Sequence, residues 1–224
     1  MFLNNVEYKK TYSFGIIYTI SFLIFGAILN YHTWSSEPMK VFNIIDIGFW
    51  ALLYLPMFIF SRYADWEIND FGFDLNYKVV VITVLLIIVF IINGAYITFN
   101  NWKISLIQMY ARTGEELFFR GFIYMLGIKL FNNKKRPWLW AVMISSLSFA
   151  FVHTQTFLPE YNTNMIDIFL LAVVLSLFRK WTKSILPGII IHVYLQSNIF
   201  GMLSGVVVYY VVSLLAYRKK EVKM

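Results

Sequence analysis

The chain has no cysteine. That excludes disulfides, thiolate metal sites and a cysteine nucleophile. It is also poor in charge: 14% of its 224 residues are Asp, Glu, Lys or Arg, against about a quarter in an ordinary soluble domain. What fills the space is apolar, with 59% hydrophobic residues and a mean hydropathy of +0.65. The apolar residues come in continuous runs of about twenty, the length that crosses about 30 Å of hydrocarbon as a helix. They do not alternate, so a β-barrel is excluded. The net charge of +7 does not point to nucleic acid, because Lys and Arg lie in short clusters between the apolar runs, where membrane proteins keep their cytoplasmic cations. No internal repeat, low-complexity tract or linker interrupts the chain. Residues 1–224 therefore read as a single all-α membrane domain, a polytopic helix bundle surrounded by membrane lipids.

Eight spans are expected, at about 11–30, 41–61, 78–99, 104–130, 138–155, 164–178, 184–200 and 202–217, the last two joined by a tight turn at Gly201. Lys9 and Lys10 before an apolar run resemble the start of a signal peptide. However, the run Thr11–Leu29 is long for such a core, and Asn30, Tyr31 and His32 replace a cleavage site, so it reads as a retained span. With the N-terminus inside, Lys9, Lys10, Arg62, Lys129, Lys134, Lys135, Arg136, Arg179, Lys180, Lys183, Arg218, Lys219, Lys220 and Lys223 all fall on inner segments. The outer ones hold only Lys40 and Lys103. This alternation predicts a multi-pass cell-membrane protein with both termini cytoplasmic. Trp102, Trp138, Trp140, Tyr209 and Tyr210 near span ends fit aromatic belts. His32, Asn43, Asp46 and Asp167 read as loop or interfacial groups.

Ionisable residues within a span cost a few kcal/mol even on lenient scales and are functional candidates by default. The fourth span carries Thr113-Gly114-Glu115-Glu116-Leu117-Phe118-Phe119-Arg120-Gly121. Glu116 and Arg120 are four apart on one helix face and form an expected ion pair. Glu115, rotated by about 100°, is left free to react. Arg112 either neutralises the glutamate pair or snorkels. The fifth span ends in Phe149-Ala150-Phe151-Val152-His153, and the seventh carries His192-Val193-Tyr194-Leu195-Gln196-Ser197-Asn198, polar groups that need partners in hydrocarbon. At about 1.5 Å per residue, Glu115, His153 and His192 reach similar depth, in the outer half of the bilayer. Interhelical hydrogen bonding is the plain alternative for each segment taken alone.

The order Glu-Glu-x-x-x-Arg, Phe-x-x-x-His and a late His-centred motif resembles the CPBP family of intramembrane proteases, also called the Abi or CAAX-protease family, over roughly residues 104–200. Glu115, Glu116 and Arg120 match its first motif, Phe149 and His153 the second, and His192 the third. The third usually reads His-x-x-x-Asn; here Gln196 stands at the asparagine position, one methylene further out. The resemblance implies that Glu115 activates water with help from His153, while His192 and Gln196 stabilise the oxyanion. Donors aimed at a developing oxyanion are commonly the largest catalytic term. A metal-free glutamate mechanism with no cofactor is favoured. Two histidines and a glutamate could instead hold Zn²⁺ with an open position for water, although the zincin motif His-Glu-x-x-His is missing.

The expected function is therefore endoproteolysis of a membrane-associated peptide. Abundant Ile, Asn, Lys and Phe suggest a low-GC bacterial source, for which the resemblance implies bacteriocin self-immunity or peptide-signal processing, with a bacteriocin-like peptide as partner. The competing expectation is a non-catalytic immunity or peptide-binding protein. A transporter ranks lowest, because no repeated halves or paired broken helices are evident.

Overall fold

The computed structural model describes residues 5–36, 44–64, 66–92, 102–157 and 164–194. Its elements are α1 (Asn5–Ser36), α2 (Ile44–Leu52), α3 (Leu55–Tyr63), a 3₁₀ turn (Ile68–Phe71), α4 (Tyr77–Ile92), α5 (Trp102–Glu116), a π-helical segment (Leu117–Ile123), α6 (Tyr124–Leu130), α7 (Pro137–Val152), a second 3₁₀ turn (Thr154–Phe157), α8 (Met165–Thr182) and α9 (Leu186–Tyr194). Among the described residues there is no strand, only an isolated antiparallel bridge between Phe73 and Ser184. The all-α expectation holds. The eighth span, the Gly201 turn, Gln196 and Asn198 lie outside the described residues.

The punctuation follows from local chemistry. Pro137 opens α7, where its missing N–H costs nothing. Asn164 caps α8 by accepting the Asp167 amide at 2.9 Å, and Lys183 follows its last turn in the left-handed region, φ 60°. The second expected span is not one helix. Pro56 has no N–H to give to the Leu52 carbonyl four residues back, the chain turns at Leu53-Tyr54, and the Tyr18 hydroxyl donates to that carbonyl at 2.7 Å. The fourth expected span is continuous from Trp102 to Leu130 but contains the π-helical segment directly after the glutamate pair.

The core is aromatic. Phe118 packs on Phe22 (ring centroids 4.4 Å apart), Phe122 on Phe60 (4.8 Å), and Phe119 edge-on against Phe149 (5.1 Å, 85°), geometries that suit ring quadrupoles. α6 and α7 touch through small residues: a Cβ on Gly127 would stand 2.9 Å from Ala141 Cα. α1 is fastened near the end of α7, with the Asn30 carboxamide donating to the Val152 carbonyl (2.9 Å) and Thr154 Oγ1 donating to the Ala27 carbonyl (2.6 Å).

Polar groups are inside and apolar ones outside. Ser145, Ser146 and Ser176 are fully buried, whereas Trp140, Met143, Leu147 and Phe151 form an exposed stripe on α7. Ile166, Leu170, Val174, Leu177 and Trp181 do the same on α8. The three- and four-residue spacings put each set on one face. Lys10–Tyr31 of α1 is the one described stretch long and apolar enough to cross a membrane, with a mean hydropathy of 1.9; Tyr77–Ile88 and Pro137–Val152 are shorter apolar helices.

Candidate active site

The site assembles where α5 passes into the π-helical segment. Leu117 to Ile123 are all buried, whereas Arg112, Thr113 and Glu115 on the N-terminal side keep partial exposure. Glu116 Oε1 stands 3.1 Å from Arg120 Nη1, and both side chains are fully buried. This is the ion pair expected from the spacing. Taking both charges out of water is costly unless each is compensated, and the compensation is shared. His192 Nδ1 lies 3.1 Å from the same Glu116 oxygen, and the Arg120 guanidinium sits 4.2 Å from the centre of the Phe149 ring.

Glu115 is not free. Arg112, three residues earlier, puts Nη1 within 2.7 and 2.8 Å of its two carboxylate oxygens. The expectation of an unengaged Glu115 considered only Arg120, whereas i,i+3 neighbours on a helix also meet. Arg112 thus neutralises the pair. Glu115 keeps 13% of its side chain exposed where Glu116 keeps none, so Glu115 is the carboxylate that a reactant can reach.

His192 on α9 joins the two acids. Its Nε2 is 3.5 Å from Glu115 Oε2 while its Nδ1 faces Glu116. A neutral imidazole donates through one nitrogen only, so the three groups together hold a shared proton inventory. His153 caps the end of α7. Its Nδ1 is 2.7 Å from the Phe149 carbonyl, which can only accept; Nδ1 therefore carries the hydrogen, and Nε2 of the neutral ring is the basic atom. His153 lies within electrostatic range of Glu115. Phe149 is the common floor, with ring centroids 4.3 Å from His153 and 5.5 Å from His192. Among the described residues no three His, Asp or Glu side chains are grouped so as to hold a metal ion. Both nitrogens of His192 already face carboxylates.

Four of the five expected catalytic residues and both supports are therefore brought to one place: Glu115, Glu116, His153 and His192 with Arg120 and Phe149; Gln196 lies outside the described residues. Three contributors were not singled out. Gly188, four before His192, lets α9 close on the acids: a Cβ there would collide with Glu116 Oε2. The four-residue spacing to His192 was the available signal. Tyr54 covers Gly114, its hydroxyl donating to the Tyr110 carbonyl at 2.6 Å. Arg179, counted above as an inner surface cation, is buried and donates to main-chain carbonyls. Without the tertiary fold, neither of the last two could be found.

The fold is helical, with acids and two histidines buried inside it and an apolar exterior, the arrangement of a polar site within a membrane protein. The family model of type II CAAX prenyl endopeptidases, Rce1-like, matches residues 84–198, just over half of the chain. The chain belongs to this family of membrane-embedded proteases. Neither comparison with curated proteins nor comparison with solved structures gives a match. The matched stretch contains all the site residues named from sequence, while α1, α2 and α3 precede it.

Proposed function

We propose that the protein is a multi-pass intramembrane endopeptidase that hydrolyses a membrane-associated peptide with a glutamate-activated water. The observation that carries this reading is the partly exposed acid Glu115, paired with the partly exposed Arg112, in front of a fully buried Glu116–Arg120 pair. Glu115 takes a proton from water as the hydroxide oxygen adds to the scissile carbonyl carbon. His153 Nε2 relays that proton, and the C–N bond breaks as the leaving amine receives it. His192 gives up its longer contact, the one to Glu115, to meet the oxyanion together with Gln196. Glu116 and Arg120 hold a fixed pair of charges behind the reacting atoms, as preorganised electrostatics requires.

Eight spans with both termini cytoplasmic are part of the same reading. It is supported by the alternation of cations along the sequence and by the exposed apolar stripes on α7 and α8, which suit a lipid solvent. Bacteriocin self-immunity or peptide-signal processing is the proposed setting.

The test uses the full chain in lipid nanodiscs with a prenylated CAAX peptide and an unprenylated hydrophobic peptide as probes. Glu115→Gln and His153→Ala are each expected to lower kcat by about 10²–10⁴-fold. Unchanged cleavage in both variants sinks the catalytic assignment. If peptide still binds Glu115→Gln and neither wild type nor variant yields product, the protein is a peptide-binding one. A chelator is expected to leave the rate unchanged; loss of activity restored by Zn²⁺ would move the mechanism to a metal.

A further inference from the structure

The π-helical segment is held in register by two side chains that play no part in the chemistry above. The Tyr124 amide is shared between the Gly121 carbonyl three residues back and the Phe119 carbonyl five residues back, and bypasses the Arg120 carbonyl, its partner in an α-helix. The Phe119 and Arg120 carbonyls are both taken up from outside the helix. Ser145 of α7 donates its hydroxyl to the Phe119 carbonyl at 2.7 Å. Arg179 of α8 donates Nε to the Arg120 carbonyl at 3.2 Å and Nη2 to the Asp70 carbonyl at 2.8 Å. Ser145 is fully buried and Arg179 nearly so.

The geometry assigns Ser145 and Arg179 as positioning residues that keep the segment after the glutamate pair in its π-helical register. Arg179 satisfies the Arg120 carbonyl that the π-helical pairing of Tyr124 leaves without its amide, and Ser145 takes the second lone pair of the Phe119 carbonyl that accepts that amide, so the first bond lowers the cost of the π-helical register and the second anchors it to α7. Gly121 makes the arrangement possible: a Cβ there would stand 2.8 Å from the Phe71 carbonyl oxygen, and Phe71 ends the turn that Arg179 also grips. The register matters because it lies between Glu116 and Arg120. Fewer degrees of rotation per residue than the α-helical value of about 100° fix where the guanidinium meets the carboxylate and the Phe149 ring. A lysine at position 179 keeps the charge but not the fork that reaches two carbonyls in different directions.

This assignment rests on the endopeptidase reading for its consequence, but not for its geometry. Ser145→Ala and Arg179→Lys in nanodiscs are expected to lower kcat for the cleaved probe by at least about tenfold, since misplacement by about 1 Å costs on that scale or more, with KM within about twofold. Amide exchange should rise over residues 117–124 and stay unchanged over 137–144. A change in KM alone, uniformly faster exchange along the chain, or unchanged exchange at 117–124 would each overturn the assignment. If the wild-type protein cleaves neither probe, the functional reading fails, and the exchange pattern alone decides on the latch.

Discussion

Glu116→Gln and Arg120→Met, made singly, are each expected to destabilise the protein by about 3–5 kcal/mol, and made together to cost much less. The reason is the complete burial of the pair. Removing one partner leaves an uncompensated charge in a low-dielectric interior, which is worse than having no charges there at all. At about 2–4 °C per kcal/mol for a chain of this size, the single variants should melt roughly 6–20 °C lower in detergent, read by tryptophan fluorescence. The double variant should regain most of that loss while remaining inactive. Glutamine at 116 still offers His192 an acceptor, so contact with α9 survives in both backgrounds. Additive losses in the double variant would show that the two residues are not a coupled pair, and the account of Glu116 as a buried counter-charge would have to be given up.

Gly188→Ala is the second large effect. An alanine Cβ would be driven into the Glu116 carboxylate, and neither the carboxylate nor α9 can yield without losing a contact. The carboxylate is held by Arg120 and His192, and α9 is seated by the Ile185 amide donating to the Gly72 carbonyl at 2.9 Å. A shift of about 1 Å at a preorganised site costs on the order of a hundredfold in rate, and overpacking costs about 1–3 kcal/mol of stability. Gly48→Ala is the matched control, since nothing lies within 4 Å of a Cβ there; it should leave both rate and stability nearly unchanged. Equal behaviour of the two variants would remove Gly188 from the site.

Much of this was legible from sequence because the signals were local or chemical. The Glu116–Arg120 contact follows from a four-residue spacing. The convergence of Glu115, His153 and His192 follows from the cost of leaving such groups in hydrocarbon. The rod from Trp102 to Leu130 was foreseen as one span, but its π-helical segment was not, since its donors Ser145 and Arg179 are respectively 26 and 59 residues away from the carbonyls they meet. Arg179 looked like a surface cation for the same reason: a charge beside Lys180 and Lys183 carries no mark of burial. The break at Leu53-Tyr54 did have a local signal in Pro56, and an expectation built on hydropathy alone passed over it. Arg112 was visible too, at i,i+3 from Glu115.

The two donors that hold the Phe119 and Arg120 carbonyls also bear on the order in which the protein is made. A helix inserted alone into lipid must satisfy its carbonyls from its own amides, so residues 102–130 would first form a regular rod. Ser145 and Arg179 belong to helices synthesised later. The irregular turn beside the acids is therefore acquired on assembly, when α7 and α8 dock. Until then the glutamates stand on a helix of a different pitch, and the placement of Arg120 against Glu116 and Phe149 waits for the later helices.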